Sequence, residues 1–94
     1  MNPADLRQRP TLAARVRLQT DPMTHEPVLL FPEGISILNP TAHEIVLRCD
    51  GVATVAEIIA SLAEEYDAPS DALTADVIAC LADLRERNLI AFAP

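Results

Sequence analysis

Ile35-Ser36-Ile37-Leu38-Asn39-Pro40-Thr41-Ala42 is the stretch on which the fold turns. Its first half alternates, Ile35 and Ile37 to one side and Ser36 and Leu38 to the other, which is the period of a strand. Its second half starts a helix. Pro40 suits an early helical position, where a missing N–H costs nothing, and Asn39 or Thr41 can cap. Everything before this stretch reads as strand, turn or arm, and nearly everything after it as helix.

Upstream, Val16 and Leu18 alternate with Arg15, Arg17 and Gln19, the pattern of a half-buried strand. Thr20 to Pro27, with Asp21, Pro22, Thr24, His25 and Glu26, is a turn longer than a two-residue hairpin. Val28-Leu29-Leu30-Phe31 is a second strand ended by Pro32, and Glu33-Gly34 turns the chain into the third, Ile35 to Leu38. Three short strands make a small antiparallel sheet with an open edge. Residues 1–12 are polar, with Pro3 and Pro10, and read as a flexible N-terminal arm ahead of a single domain over 13–94.

Downstream, Ala42, Ile45, Val46 and Cys49 recur at helical spacing until Asp50-Gly51 stops the helix, Gly51 taking the left-handed conformation. Thr54 with Glu57 three positions on is a capping box, and Val55, Ile58, Ile59, Leu62 and Tyr66 form the stripe behind it. After the break at Ala68-Pro69, Ser70 or Asp71 begins the longest helix, striped by Leu73, Val77, Cys80, Leu81 and Leu84. Asn88 ends it, and Leu89 to Phe92 is a short apolar tail, extended against the sheet or core. Strands segregated from helices imply an α+β fold: a winged helix-turn-helix-like domain, three-stranded antiparallel sheet first, three helices after.

Composition narrows the function. The 94 residues suffice for one core, and with 50% hydrophobic but only 3% aromatic residues that core is built from Leu, Ile, Val and Ala. A net charge of −7 repels nucleic-acid phosphate and anionic membrane alike. The third helix, the reader in a DNA-binding winged helix, carries Asp71, Asp76, Asp83 and Glu86 against Arg85 and Arg87. The only basic cluster, Arg7, Arg9, Arg15 and Arg17, reads first as a solvated face. His25 and His43 stand apart, there is no HExxH, CxxC or glycine-rich phosphate loop, and so no catalytic or metal site and no cofactor is expected. Cys49 and Cys80 read as buried free thiols. No apolar run approaches the roughly 20 residues of a membrane span, Met1 to Pro10 lacks the apolar core of a signal peptide, and a cytoplasmic location is expected.

What remains is an open edge beside a helix, where a guest strand can add its backbone and pockets can read alternate side chains. Ile35 to Leu38 carries no charge to blunt such pairing. Two arrangements fit this pattern: the edge is free for a guest, or the C-terminal tail or another strand covers it.

Arg9-Pro10, Val16-Arg17-Leu18 with Asp21, Leu29-Leu30 with Pro32-Glu33, Leu38-Asn39 with Thr41-Ala42, Arg48-Cys49-Asp50-Gly51, Asp76-Val77, and Leu81 with Leu84 occur here in one collinear order. From about Arg9 to Phe92 the chain resembles the PqqD family, peptide chaperones of pyrroloquinoline quinone (PQQ) biosynthesis that belong with the recognition elements for ribosomally made, modified peptides. The resemblance implies binding of the precursor peptide PqqA and its presentation to PqqE, a radical S-adenosylmethionine enzyme that joins a Glu and a Tyr side chain of the precursor. It implies a peptide site at Ile35, Ser36, Ile37, Leu38 and Asn39 of the third strand. On the third helix it implies Val77, Cys80, Leu81, Leu84 and Arg85, with Leu81 and Leu84 leaning to the core. It also includes versions fused to the neighbouring pathway oxidase. The alternatives are a winged-helix DNA binder or a generic protein-interaction domain. A monomer is expected, or a weak homodimer in which the first strand is exchanged across the Thr20–Pro27 connection.

The charge reading has a direct check. Titration against duplex DNA at physiological salt is expected to give no measurable binding; affinity that falls steeply with added salt would overturn it.

Overall fold

The structure is a computed structural model that describes residues 5–93. Its elements run β1 Arg9–Leu12, β2 Arg17–Thr20, β3 Pro27–Phe31, β4 Gly34–Ile37, α1 Pro40–Leu47, α2 Val55–Glu65, α3 Ser70–Glu86 and β5 Ile90–Ala93. The α+β class and the strands-then-helices order are as expected. The three expected strands are β2, β3 and β4, an antiparallel sheet in that order, and α1 to α3 follow.

The sheet arrangement adds something. β1 and β5 form a second, two-stranded antiparallel sheet with Arg9 opposite Ala93 and Leu12 opposite Ile90. The apolar tail is therefore extended, as expected, but its partner is the N-terminal segment. This corrects the reading of residues 1–12 as a flexible arm wherever they are described (Met1 to Ala4 lie outside the described residues). Pro10 is fully buried. The carbonyls of Leu6, Gln8 and Pro10 accept from the N–H groups of Ala56, Val55 and Gly51. Two of those donors belong to the first turn of α2, which has no internal partner for them. The segment thus straps the helix end, and its few apolar residues conceal this in the sequence.

The helix ends are set by local chemistry. Asn39 Oδ1 accepts from Ala42 N at 2.7 Å, with Pro40 as the first helical residue. At α2 the capping box is complete: Thr54 Oγ1 accepts from Glu57 N, and Glu57 Oε1 accepts from Thr54 N. The Glu57 carboxyl is held below its ordinary range, chiefly by that backbone N–H. α1 stops at Leu47, short of Asp50-Gly51, and Asp50 Oδ1 then accepts from Val52 and Ala53 N to turn the chain. α3 has no side-chain cap; Pro69 precedes it and Ser70 is its first residue.

The core lies between the three-stranded sheet and the helices. Leu29, Leu38, Ile45, Val55, Leu62, Leu81 and Leu84 belong to one buried cluster, and no polar side chain among the described residues is buried with them. Burial of each such side chain contributes about 1.5–3 kcal/mol.

Gly51 sits at φ +80, and a Cβ there would lie 3.4 Å from Thr11 of β1. Gly51→Ala is expected to cost about 1–2 kcal/mol from the left-handed backbone alone, read as a lower urea midpoint at unchanged slope. An unchanged midpoint would contradict the account.

Candidate functional site

β4 is an edge strand. β5 does not cover it, and its other neighbour is β3. Of the two arrangements left open by the sequence, the free edge is the one adopted among the described residues. In the register, Ile37 faces Val28, Ser36 faces Leu29 and Ile35 faces Leu30. Leu38 N donates to Pro27 O at 2.9 Å, and Asp21 N to Glu26 O at 2.8 Å. Hydrogen-bonded and non-bonded pairs alternate along an antiparallel ladder. Gly34, Ser36 and Leu38 therefore turn their main-chain groups toward β3. Ile35 and Ile37 turn theirs to the open side, where a guest strand would bond.

The side chains divide the other way. Ser36 and Leu38 share the helix-facing side with Leu29, whereas Ile35 and Ile37 are on the outer face, 53% and 65% exposed. Beside the edge runs α3, and Arg87 joins the two: its Nη1 donates to Ser36 Oγ at 3.1 Å while its Nη2 pairs with Asp83 at 3.1 Å. Farther along, a cavity of about 310 Å³ is lined by Asn39, Thr41, Ala42, Asp76, Ala79 and Cys80. Asp76, Cys80, Asp83 and Arg87 recur four, seven and eleven positions along the helix, one stripe on one face. That stripe is the helical wall beside β4.

The sequence-expected residues divide accordingly. Ile35, Ser36, Ile37 and Asn39 lie along the edge, Asn39 with its side chain spent on the α1 cap. Cys80 lies on the wall. Val77, Leu81 and Leu84 are at most 1% exposed, and Leu38 is 5% exposed; these four are core residues whose side chains a guest does not reach. Arg85 is exposed but turned nearly opposite the stripe, by roughly 160° at 100° per residue. Asp76, Asp83 and Arg87 also stand on that wall and were not among the expected residues. Their only signal was a polar row at helical spacing through Cys80, which in a sequence is indistinguishable from a solvated face.

Burial pushes the Cys49 thiol up to about 12, and burial again, with Asp83 adding and Arg87 opposing, raises Cys80. Among the described residues no group of three or more His, Cys, Asp or Glu is placed to hold a metal, and no helix is long and apolar enough to cross a membrane.

An open strand edge with a helix laid beside it defines a class: a small α+β module built to accept an extended peptide. Comparison with known proteins supplies the family. A family model described as coenzyme PQQ synthesis protein D (PqqD) matches residues 26–90. A protein of Xanthomonas oryzae pv. oryzae (strain PXO99A), named PqqA binding protein, is 39% identical over 82 residues, 87% of this chain and 89% of its own. One of the same name from Rhodopseudomonas palustris (strain HaA2) is 38% identical, over 87% of this chain and 80% of its own. The solution structure of the PqqD truncation of Methylobacterium extorquens PqqCD is described as a stand-alone recognition element for ribosomally synthesised, modified peptides. It superposes with a TM-score of 0.75 at 33% identity, covering 87% of each chain. The crystal structure of PqqD from Xanthomonas campestris superposes with a TM-score of 0.56 at 38% identity, over 84% of this chain and 89% of that one. The chain belongs to the PqqD family, a family of binding proteins and not of enzymes.

The two thiols give this geometry a simple test. Limited alkylation at pH 8 followed by mass mapping is expected to label Cys80 before Cys49; equal rates would place Cys49 nearer the surface than the fold allows. The folded Cys49 thiol keeps its proton to higher pH than the unfolded one. Unfolding therefore releases a proton above pH 9, and stability should fall as pH rises further.

Proposed function

We propose that this chain is the peptide chaperone of PQQ biosynthesis: it binds the precursor peptide PqqA as an added strand on β4 and presents it to the radical S-adenosylmethionine enzyme PqqE, in the cytoplasm. The observation that carries the reading is the pair Ile35 and Ile37, whose main-chain groups face outward from an uncovered edge beside α3. The printed names of its relatives, which describe PqqA binding, support the choice of client.

The mechanism is one of ordering. A guest paired with Ile35 and Ile37 exchanges main-chain bonds with both, and its intervening side chains fall alternately over the outer face and toward the α3 wall. Fixing each guest residue costs roughly 1–2 kcal/mol of backbone entropy. Backbone bonds and two or three shallow pockets offset that only narrowly, which points to a Kd on the order of micromolar. Such a complex holds the client in one extended shape for the enzyme and still releases it. In this reading the chaperone acts as a monomer or a weak homodimer.

The alternation of the ladder makes the test sharp. Ile37→Pro removes a donor aimed at the guest and none aimed at β3, a tolerated place for proline on an edge. Ser36→Pro removes a donor bonded to Leu29 and should lower stability instead. Titrating PqqA into labelled protein should shift amides of Ile35 to Leu38 and of the α3 wall. Ile37→Pro should weaken binding about two- to tenfold, the loss of one main-chain bond, with the fold retained. Shifts clustered elsewhere, or undiminished binding by Ile37→Pro, would reject docking on β4.

A further inference from the structure

The three-stranded sheet has a second face, turned away from the helices, that docking on β4 leaves uncovered. Residues directly opposite one another across a ladder share a face. The register therefore sets Gln19, Val28 and Ile37 in one row across the sheet, and Arg17, Leu30 and Ile35 in the next. Ile35 and Ile37 stand exposed, Leu30 is half-buried and Val28 is buried. In a chain with 14 acidic residues, none of these six positions is a carboxylate and one, Arg17, is a cation. Asp21, Glu26 and Glu33 sit in the turns beyond the strand ends. Among the described residues, the Arg17 guanidinium makes no hydrogen bond or ion pair. Ile37 also walls a cavity of about 540 Å³, whose other lining includes Glu26 and Pro27 and, from the first turn of α1, Pro40 and His43. That cavity lies on the β3 side of Ile37, away from where a guest strand would bond.

Size decides what can sit there. Strands stand about 4.8 Å apart and alternate residues about 7 Å apart, so the two rows cover on the order of 200 Å², against about 800 Å² per partner in a stable interface. A second copy would bring an equally small face and its own charge of −7, so self-association does not account for the surface. A guest strand on β4 changes the area. It extends both rows, and every other one of its side chains stands on the outer face beside Ile35 and Ile37. Its remaining side chains are closed between β4 and the α3 wall. A protein that acts on the guest therefore meets it from the outer face, with Ile35, Ile37 and the guest's own side chains in one surface.

We infer that the outer face is the docking surface for the modifying enzyme, which reads chaperone and peptide together as one four-stranded sheet. This rests on the reading that PqqA adds to β4 and is presented to PqqE. The matching surface of the enzyme is apolar, with one large side chain anchored in the cavity beside Ile37 and a carboxylate set against Arg17. Because part of the docking surface is the guest itself, the empty chaperone is a poor ligand for the enzyme and the loaded one a good ligand. Linkage makes the preference mutual: PqqE raises the affinity for PqqA by the same factor by which PqqA raises the affinity for PqqE. The client is held most tightly while the enzyme is present.

The test uses the full chain with PqqA and PqqE. The Kd of PqqE should be about fivefold or more lower for the PqqA-saturated chaperone than for the empty one, the lower end of the range for coupled sites. PqqE should then shift the amides of Gln19 and Leu30; equal affinities for the two forms would overturn the inference. Arg17→Glu with Gln19→Glu lies at exposed positions on the strand farthest from the peptide edge. That pair should leave the fold and PqqA binding as they are and weaken PqqE about tenfold, through a charge reversal inside the interface. The same change in net charge on the helices, Arg85→Glu with Ala60→Glu, should leave PqqE binding unchanged. Undiminished PqqE binding by the first pair, or an equal loss by the second, means that the outer face is not the docking surface, though docking of the peptide on β4 stands. Replacing alternate residues of the docked stretch of PqqA by serine should separate the two faces. One set weakens binding to the chaperone; the other spares it and weakens PqqE on the loaded complex. If PqqA alone leaves the β4 amides unshifted, docking on β4 fails, and the inference with it.

Discussion

The distance between β4 and α3 is not set at the proposed peptide site. It is set beneath it, by the closure of Val77, Leu81 and Leu84 onto Leu29 and Leu38 in one buried cluster. A close-packed interior does not yield by even a methylene without cost, so the groove above has a fixed width. The same closure decides the orientation of α3. With its apolar row turned inward, the row through Asp76, Cys80, Asp83 and Arg87 comes to stand beside the edge. The surface proposed for the peptide is thus a by-product of core packing, made of what the core did not use.

This also explains how much was legible beforehand. Elements with local causes were readable: the Asn39-Pro40 helix start, the Thr54 and Glu57 capping box, the alternation of Ile35 to Leu38. Each is decided by neighbours a few positions away. Val77, with Leu81 and Leu84 already leaning to the core, was placed near the peptide by resemblance and is buried, for the opposite reason. Periodicity identifies the apolar face of a helix but not the neighbour that a polar face will meet, and Arg85 and Arg87 differ only in which way the turn carries them. The strap formed by β1 was illegible because its partner, β5, is at the other end of the chain and the strand has only Pro10 and Leu12 to signal burial.

The strap has a structural role that its composition hides. Its carbonyls complete the N-terminus of α2, and its passage over Gly51 ties the α1–α2 turn to the same small sheet. The family match begins only at Glu26, so β1 and β2 lie outside the matched span while contributing to the frame around it. The separation is physical as well: the edge proposed for the peptide belongs to the three-stranded sheet, and the strap belongs to the other.

An uncovered strand edge flanked by exposed isoleucines has an attraction for any extended chain, including another copy of itself. The net charge of −7, which repels nucleic-acid phosphate, also keeps copies of the protein apart. Colloidal stability is in this sense a condition of the site. The edge stays available because the rest of the molecule is too strongly charged to approach it.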